Sequence, residues 1–367
     1  MSRAALRFLP LIAILCTAVP AGGQDGPVLR GRVVAADGAP VRGMRAVARW
    51  QRRADAQPRA DSATVDAEGR FRIVLPAGLP DSLTVVVDVA DGAPRTHHPS
   101  LVRLARGEAD REHGFILAPR VWIIGDGFYA GQRVEISPTL ARRPACAGCS
   151  TFWVRMPGTP GVGFQGWPGP RFPLRVAFER GGSQPMGAAP DSAAFWRAAA
   201  GVENALGRDL FRAVPYAQTL STFRNEDPVD VVLVRIDRSL TTAGLTTMVG
   251  TRGSIEYAGL ALQRASAALA PGGRELVAHE LMHVLGLGHT CAWRSVLAES
   301  NRCPGLRASA PTPEDVAYTQ LLYRVRDLQR DGSMRWGLDA AVEGERMLDL
   351  RDGTELAGTA DPGIAPE

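Results

Sequence analysis

Three of the six histidines in this chain fall inside one short stretch, His279-Glu280-Leu281-Met282-His283-Val284-Leu285-Gly286-Leu287-Gly288-His289. His279 and His283 are four residues apart, so on a helix their imidazoles lie one turn apart on one face and can hold a single ion together. Glu280 directly follows the first of them, which sets its carboxylate beside that ion as a base for a metal-bound water. Gly286 can take a positive φ, end the helix in a left-handed cap and turn the chain back, so that His289 arrives as a third ligand. Three neutral imidazoles leave a tetrahedral zinc one open position, the arrangement of catalytic rather than structural sites. Zinc lowers the pKa of its bound water from about 15.7 to about 7 and polarises a carbonyl, so both halves of amide hydrolysis would be served. A lone histidine on an apolar helix is ordinarily a core or surface residue. From this chain's own His, Glu and Gly frequencies, however, the expected count of the full pattern is on the order of one in a hundred thousand.

The elements that must position these residues are legible around them. A helix preceded by Gly272 and Gly273 carries Leu276, Val277, Leu281, Val284 and Leu285 on its apolar side and stops at Gly286. A later helix is signalled by Thr312-Pro313-Glu314-Asp315, with Thr312 as cap, Pro313 in the first turn and acids at the positive end of the macrodipole, running to about residue 328. Upstream, residues 171–178, 229–234 and 255–262 read as strands and 192–206 as a helix capped by Ser192. Residues 28–35, 45–50, 71–75 and 83–89 read as short strands, with turns at Asp37-Gly38, Glu68-Gly69 and Asp91-Gly92, which predicts a small antiparallel sandwich. Strand-like pieces at 121–124 and 133–136 precede a run rich in Gly and Pro, 157–170, which reads as a linker whose Phe164 and Trp167 are expected to pack partly onto a neighbouring domain rather than to bind a ligand.

The histidine stretch matches, at every fixed position, the pattern HExxHxxGxxH that marks the metzincins, and residues 171 to 330 resemble a bacterial matrixin-like peptidase of that group. The resemblance implies a zinc endopeptidase with His279, His283 and His289 as ligands and Glu280 as general base. It also implies an extended substrate added as a strand along a sheet edge, a role that falls on residues 255–262. One position departs from the pattern. Where the metzincins place a Met-turn, this chain has Ser295-Val296-Leu297, with Met334 the other candidate. That residue packs beneath the histidines and is not a ligand, so Leu297 in its place should cost less than about 1.5 kcal/mol. No Tyr closely follows Leu297 as an extra ligand, and a latency cysteine would have to be Cys146 or Cys149. In the N-terminal region, Gly31-Arg32-Val33-Val34, Asp37-Gly38-Ala39-Pro40-Val41 and Thr64-Val65-Asp66-Ala67-Glu68-Gly69-Arg70-Phe71 resemble the carboxypeptidase regulatory-like fold, which implies an accessory or binding module.

The expected fold is therefore multidomain: an all-β sandwich followed by an α+β metzincin-type peptidase domain. The expected division is a signal peptide at 1–23, the sandwich at 25–118, a β-rich connector and linker at 119–170, the peptidase domain at 171–335 and a tail at 336–367. Arg3 and Arg7, the apolar run 8–19 and the small residues Ala21, Gly22 and Gly23 form the signal, so secretion or a periplasmic location is expected. Lipidation at Cys16 is disfavoured by the Leu15 before it. No segment is long and apolar enough for a transmembrane helix. All 42 basic residues are Arg, and they are interspersed with acids around a net charge of +4, which argues against nucleic acid. Cys146, Cys149, Cys291 and Cys303 allow three pairings, and sequence neighbours suggest Cys146 with Cys149 and Cys291 with Cys303. The expected cofactor is one catalytic Zn2+; a structural Ca2+ is compatible but no motif indicates it. Expected partners are protein or peptide substrates, with a glycan or cell-surface ligand for the sandwich. The alternative function is a catalytically inactive zinc-binding envelope or adhesion protein.

Overall fold

In the computed structural model, the residues described are 26–51, 57–78, 82–88, 96–136, 166–178, 189–214, 231–237, 239–251, 254–263, 273–298, 303–330 and 334–336. The signal segment, Cys146, Cys149, Phe164 and the tail beyond residue 336 lie outside them. Among the described residues sheet dominates, with three α-helices, in keeping with an N-terminal β unit followed by an α/β unit.

The N-terminal unit contains β1 (Val28–Ala35), β2 (Arg45–Trp50), β3 (Arg59–Thr64), β4 (Arg70–Val74), β5 (Ser82–Asp88), β6 (Ser100–Ala105) and β7 (Glu112–Leu117). Two four-stranded sheets enclose one core. The first has the order β15-β7-β1-β4, where β15 is Met334–Trp336, and the second β3-β2-β5-β6. Alternation along β1 turns Leu29, Val33 and Ala35 inward, to meet Val85, Val87 and Leu104 of the facing sheet. Gly31 occupies the same inward row because a Cβ there would lie 2.2 Å from the Phe71 ring, which packs tilted against Phe115 with centroids 5.5 Å apart. The four predicted strands are present, and β3, β6 and β7 join them.

A short hairpin, β8 (Val121–Ile123) with β9 (Arg133–Glu135), follows, and the second unit begins near residue 166. Its strands are β10 (Leu174–Phe178), β11 (Phe211–Ala213), β12 (Val231–Ile236), β13 (Gly244–Thr251) and β14 (Ser254–Leu262), arranged β11-β10-β12-β14-β13. All pair in parallel except β13, which runs antiparallel to β14 and, among the described strands, forms one edge of the sheet, β11 forming the other. Residues 255–262, expected at the edge, are thus an inner strand; β14 is flanked on both sides and largely buried, and the edge falls to the preceding strand.

Helices α1 (Ala189–Leu206), α2 (Gly273–Val284) and α3 (Pro313–Leu328) share a core with this sheet, in which Phe195 and Val202 meet Val277, Leu281 and Leu321. Helix α1 starts three residues before Ser192, so Ser192 is not its cap; Pro190 falls in the first turn, where its missing N–H costs no hydrogen bond. Helix α3 begins as the sequence predicts. The Thr312 side chain accepts from the Asp315 N–H, and the Asp315 carboxylate accepts from the Thr312 N–H, a reciprocal capping box.

The two units are joined by more than a linker. Strand β15, beyond α3, pairs in parallel with β7, and Arg324 Nε of α3 donates to the Ala36 carbonyl at 3.1 Å. Trp122 Nε1 of the hairpin donates to Gln320 Oε1 at 3.0 Å. The end of the Gly/Pro run is core as well: Trp167 is buried and donates its indole N–H to the Val284 carbonyl at 2.7 Å.

Candidate metal centre

Helix α2 carries His279 and His283 on one face, and its C-terminal cap delivers the third imidazole. Gly286 has φ of 98°, its N–H donates to His283 O at 2.8 Å, and the Leu287 N–H donates to Met282 O at 3.3 Å. That pair of bonds is the Schellman arrangement, which requires the left-handed conformation that glycine adopts without strain. The carbonyls freed at the helix end are also satisfied, Val284 O by Trp167 and Leu285 O by the Tyr323 hydroxyl at 3.0 Å.

The three side chains converge. Nε2 of His283 lies 3.0 Å from Nε2 of His279 and 3.1 Å from Nε2 of His289, and the remaining pair is 3.2 Å apart. Backbone carbonyls fix the tautomers of two rings. His279 Nδ1 lies 2.8 Å from the Val296 carbonyl, and His283 Nδ1 lies 2.7 Å from the Leu287 carbonyl. A carbonyl accepts only, so each Nδ1 carries the proton and each Nε2 presents a bare lone pair. Lone pairs gathered this closely repel one another unless a cation lies between them. Zinc–nitrogen bonds of about 2.0 to 2.1 Å in a tetrahedron place the nitrogens roughly 3.3 Å apart, close to the spacing here. Burial and the neighbouring imidazoles push His283 well below its ordinary pKa, which keeps it in the neutral, ligating form. The residues fit a metal ion, and these three histidines are positioned to hold one.

Glu280 is 3% exposed. Burial pushes its carboxyl up to about 7, against the hydrogen bond that Thr246 donates to Oε2 at 2.7 Å. Thr246 and Gly244, both on β13, were not singled out by the sequence reading. The β-branched run around Thr246 and Thr247 is the signal that could have marked that strand.

Leu297 is 1% exposed and lies in the turn 295–298, which supplies the carbonyl that holds His279. Met334, the other candidate for that position, sits instead in β15 of the N-terminal sheet. The turn is tied down from both sides. Cys291 and Cys303 form a disulfide, as their proximity in sequence suggested. Asp315 accepts from Ser295 Oγ at 2.5 Å, from the Val296 N–H at 3.1 Å and from Trp293 Nε1 at 3.3 Å. No helix is long and apolar enough to cross a membrane among the described residues. No protein-family model matches the chain, and a search of curated proteins finds no match.

Proposed function

We propose that this chain is an exported zinc endopeptidase of matrixin-like metzincin type, with His279, His283 and His289 as zinc ligands and Glu280 as general base. The observation that carries the proposal is the convergence of three imidazole nitrogens, two of them deprotonated by carbonyl contacts on their far side, with a buried carboxylate one residue from the first. A zinc ion held by these three histidines would supply an acidified water and a Lewis acid for the peptide carbonyl. The Glu280 carboxylate takes a proton from the water that attacks the carbonyl carbon, and returns it to the departing amine nitrogen as the C–N bond breaks. Its burial raises its basicity for that task. Leu297, buried in the turn that holds His279, is read as standing in for the usual Met by packing.

Substrate in extended form is read as adding a strand to β13, an edge strand among the described residues and the one that contacts Glu280. The N-terminal sheets are read as a carboxypeptidase regulatory-like sandwich serving as an accessory module. Export agrees with the basic and apolar N-terminus and with the Cys291–Cys303 bridge. The test is a zinc titration together with digestion of a proteome-derived peptide library, with and without chelator. One zinc per chain and chelator-sensitive internal cleavage are expected. Loss of zinc binding in His283→Ala should accompany loss of cleavage, and cleavage that survives complete chelation would overturn the proposal.

A further inference from the structure

The Glu280 carboxylate is held on β13, not only on its own helix. Residues 244 and 246 are two apart, so they lie on the same face of that strand, the face turned to α2. The Thr246 hydroxyl donates to Oε2 at 2.7 Å. Gly244 lies against the other oxygen: a Cβ at that position would stand 2.5 Å from Oε1, 3.0 Å from Cδ and 3.1 Å from Cγ of the same glutamate. The three heavy atoms nearest to that Cβ all belong to Glu280. Gly244 has no left-handed φ among the positive values recorded, so its backbone gives no conformational reason for glycine. What the position requires is space.

We propose that β13 is a positioning strand for the base, with the Thr246 hydroxyl holding Oε2 and the missing side chain of Gly244 making room for Oε1. Both residues act through Glu280 and neither needs to touch substrate. Among the described strands β13 is also an edge of its sheet, so a strand added there would bear directly on the strand that holds the base. The catalytic consequence rests on the endopeptidase reading. The cradle itself does not, since it is a packing relationship that exists without turnover.

The experiment combines stability and kinetics on the full-length chain loaded with zinc. In chemical denaturation, Gly244→Ala lowers the midpoint in the wild-type background and leaves it unchanged or raised in Glu280→Ala, where the obstructing carboxylate is gone. Thr246→Val likewise lowers the midpoint only while Glu280 is present. In peptide cleavage, Thr246→Val reduces kcat about tenfold with KM unchanged, Thr246→Ser restores it, and Gly244→Ala reduces kcat further, with one zinc per chain throughout. Equal midpoint shifts in both backgrounds would overturn the cradle, and unchanged kcat in Thr246→Val of an active enzyme would overturn its role in positioning the base. If the wild-type chain cleaves nothing while the midpoint coupling is present, the endopeptidase reading fails and the cradle stands.

Discussion

The carboxylate of Asp315 accepts the N–H of Val296 at 3.1 Å, and the carbonyl of Val296 in turn accepts Nδ1–H of His279 at 2.8 Å. One backbone residue therefore relays the first turn of α3 to the imidazole of a metal ligand. The same carboxylate closes the capping box of α3 by accepting from the Thr312 N–H at 3.0 Å. Burial pushes the Asp315 carboxyl up, while donors from Ser295, Thr312, Val296 and Trp293 pull it the other way. Burial prevails and leaves the carboxyl above its usual value, the four surrounding donors offsetting part of that cost.

Asp315→Asn places an amide NH2 against those donors. The expected result is a loss of about 3 kcal/mol in chemical denaturation and at least about a tenfold loss of zinc affinity, because the His279 carbonyl partner is no longer fixed. Equal stability and equal affinity in the variant would contradict the relay.

The disulfide should matter for the same turn. Cys291 and Cys303 are separated by 12 positions, and their loop contains Ser295, Val296 and Leu297. Replacing both by Ser removes a constraint on the unfolded chain worth roughly 2 to 3 kcal/mol. Faster zinc release to a competing chelator should accompany it, measured by stopped-flow dissociation. Unchanged release would show that the turn is held by Asp315 alone.

Leu297 separates size from identity in the turn that holds His279. Leu297→Met conserves volume and is expected to change stability by less than about 1.5 kcal/mol with zinc retained. Leu297→Ala opens a cavity and should cost about 2 to 5 kcal/mol. Thermal denaturation of the two variants makes the comparison. A large loss for Met would show that the turn is shaped for leucine specifically.

A pH effect is expected at the joint between the two units. His98 is buried, and its Nε2–H donates to the Ile136 carbonyl at 2.6 Å. Burial holds its pKa below the ordinary 6.5, with Arg120 and His97 acting in the same direction and the Ile136 bond and Glu135 opposing. Below pH 6.5 the unfolded chain therefore takes up a proton that the folded chain refuses, and stability falls as pH falls. Denaturation midpoints measured from pH 7 downwards should decline less steeply in His98→Gln than in the wild type. Parallel declines would remove His98 from the account.

What could be read from the sequence was local. The motif helix, its glycine stop and the capping box of α3 are set by residues within a few positions of one another, and their signals survive any tertiary arrangement. The missed features depend on distant partners. Strand β13 is an edge only because Val249 and its neighbours pair with β14 while nothing among the described strands pairs beyond it. Three-residue β15 has no pattern of its own and exists through its pairing with β7, more than 200 residues earlier. At Trp167 the expectation of packing holds and goes further than a linker would suggest, since the indole is fully buried in an apolar core and donates to the Val284 carbonyl. Thr246 was invisible for the same reason as its strand: nothing in sequence places it 34 positions ahead of the glutamate it contacts.

The central claim concerns Glu280 and the three histidines together, and the most direct test is cleavage by the Glu280→Gln variant at known zinc occupancy. Wild-type protein carrying one zinc per chain should cut casein or an internal peptide bond, stop on chelation and recover with zinc. Glu280→Gln should bind zinc to the same extent and cut at a rate lower by at least about a thousandfold. Cleavage by that variant within about tenfold of wild type would contradict the assigned base. Silence of the fully loaded wild type across a broad peptide library would contradict the endopeptidase itself.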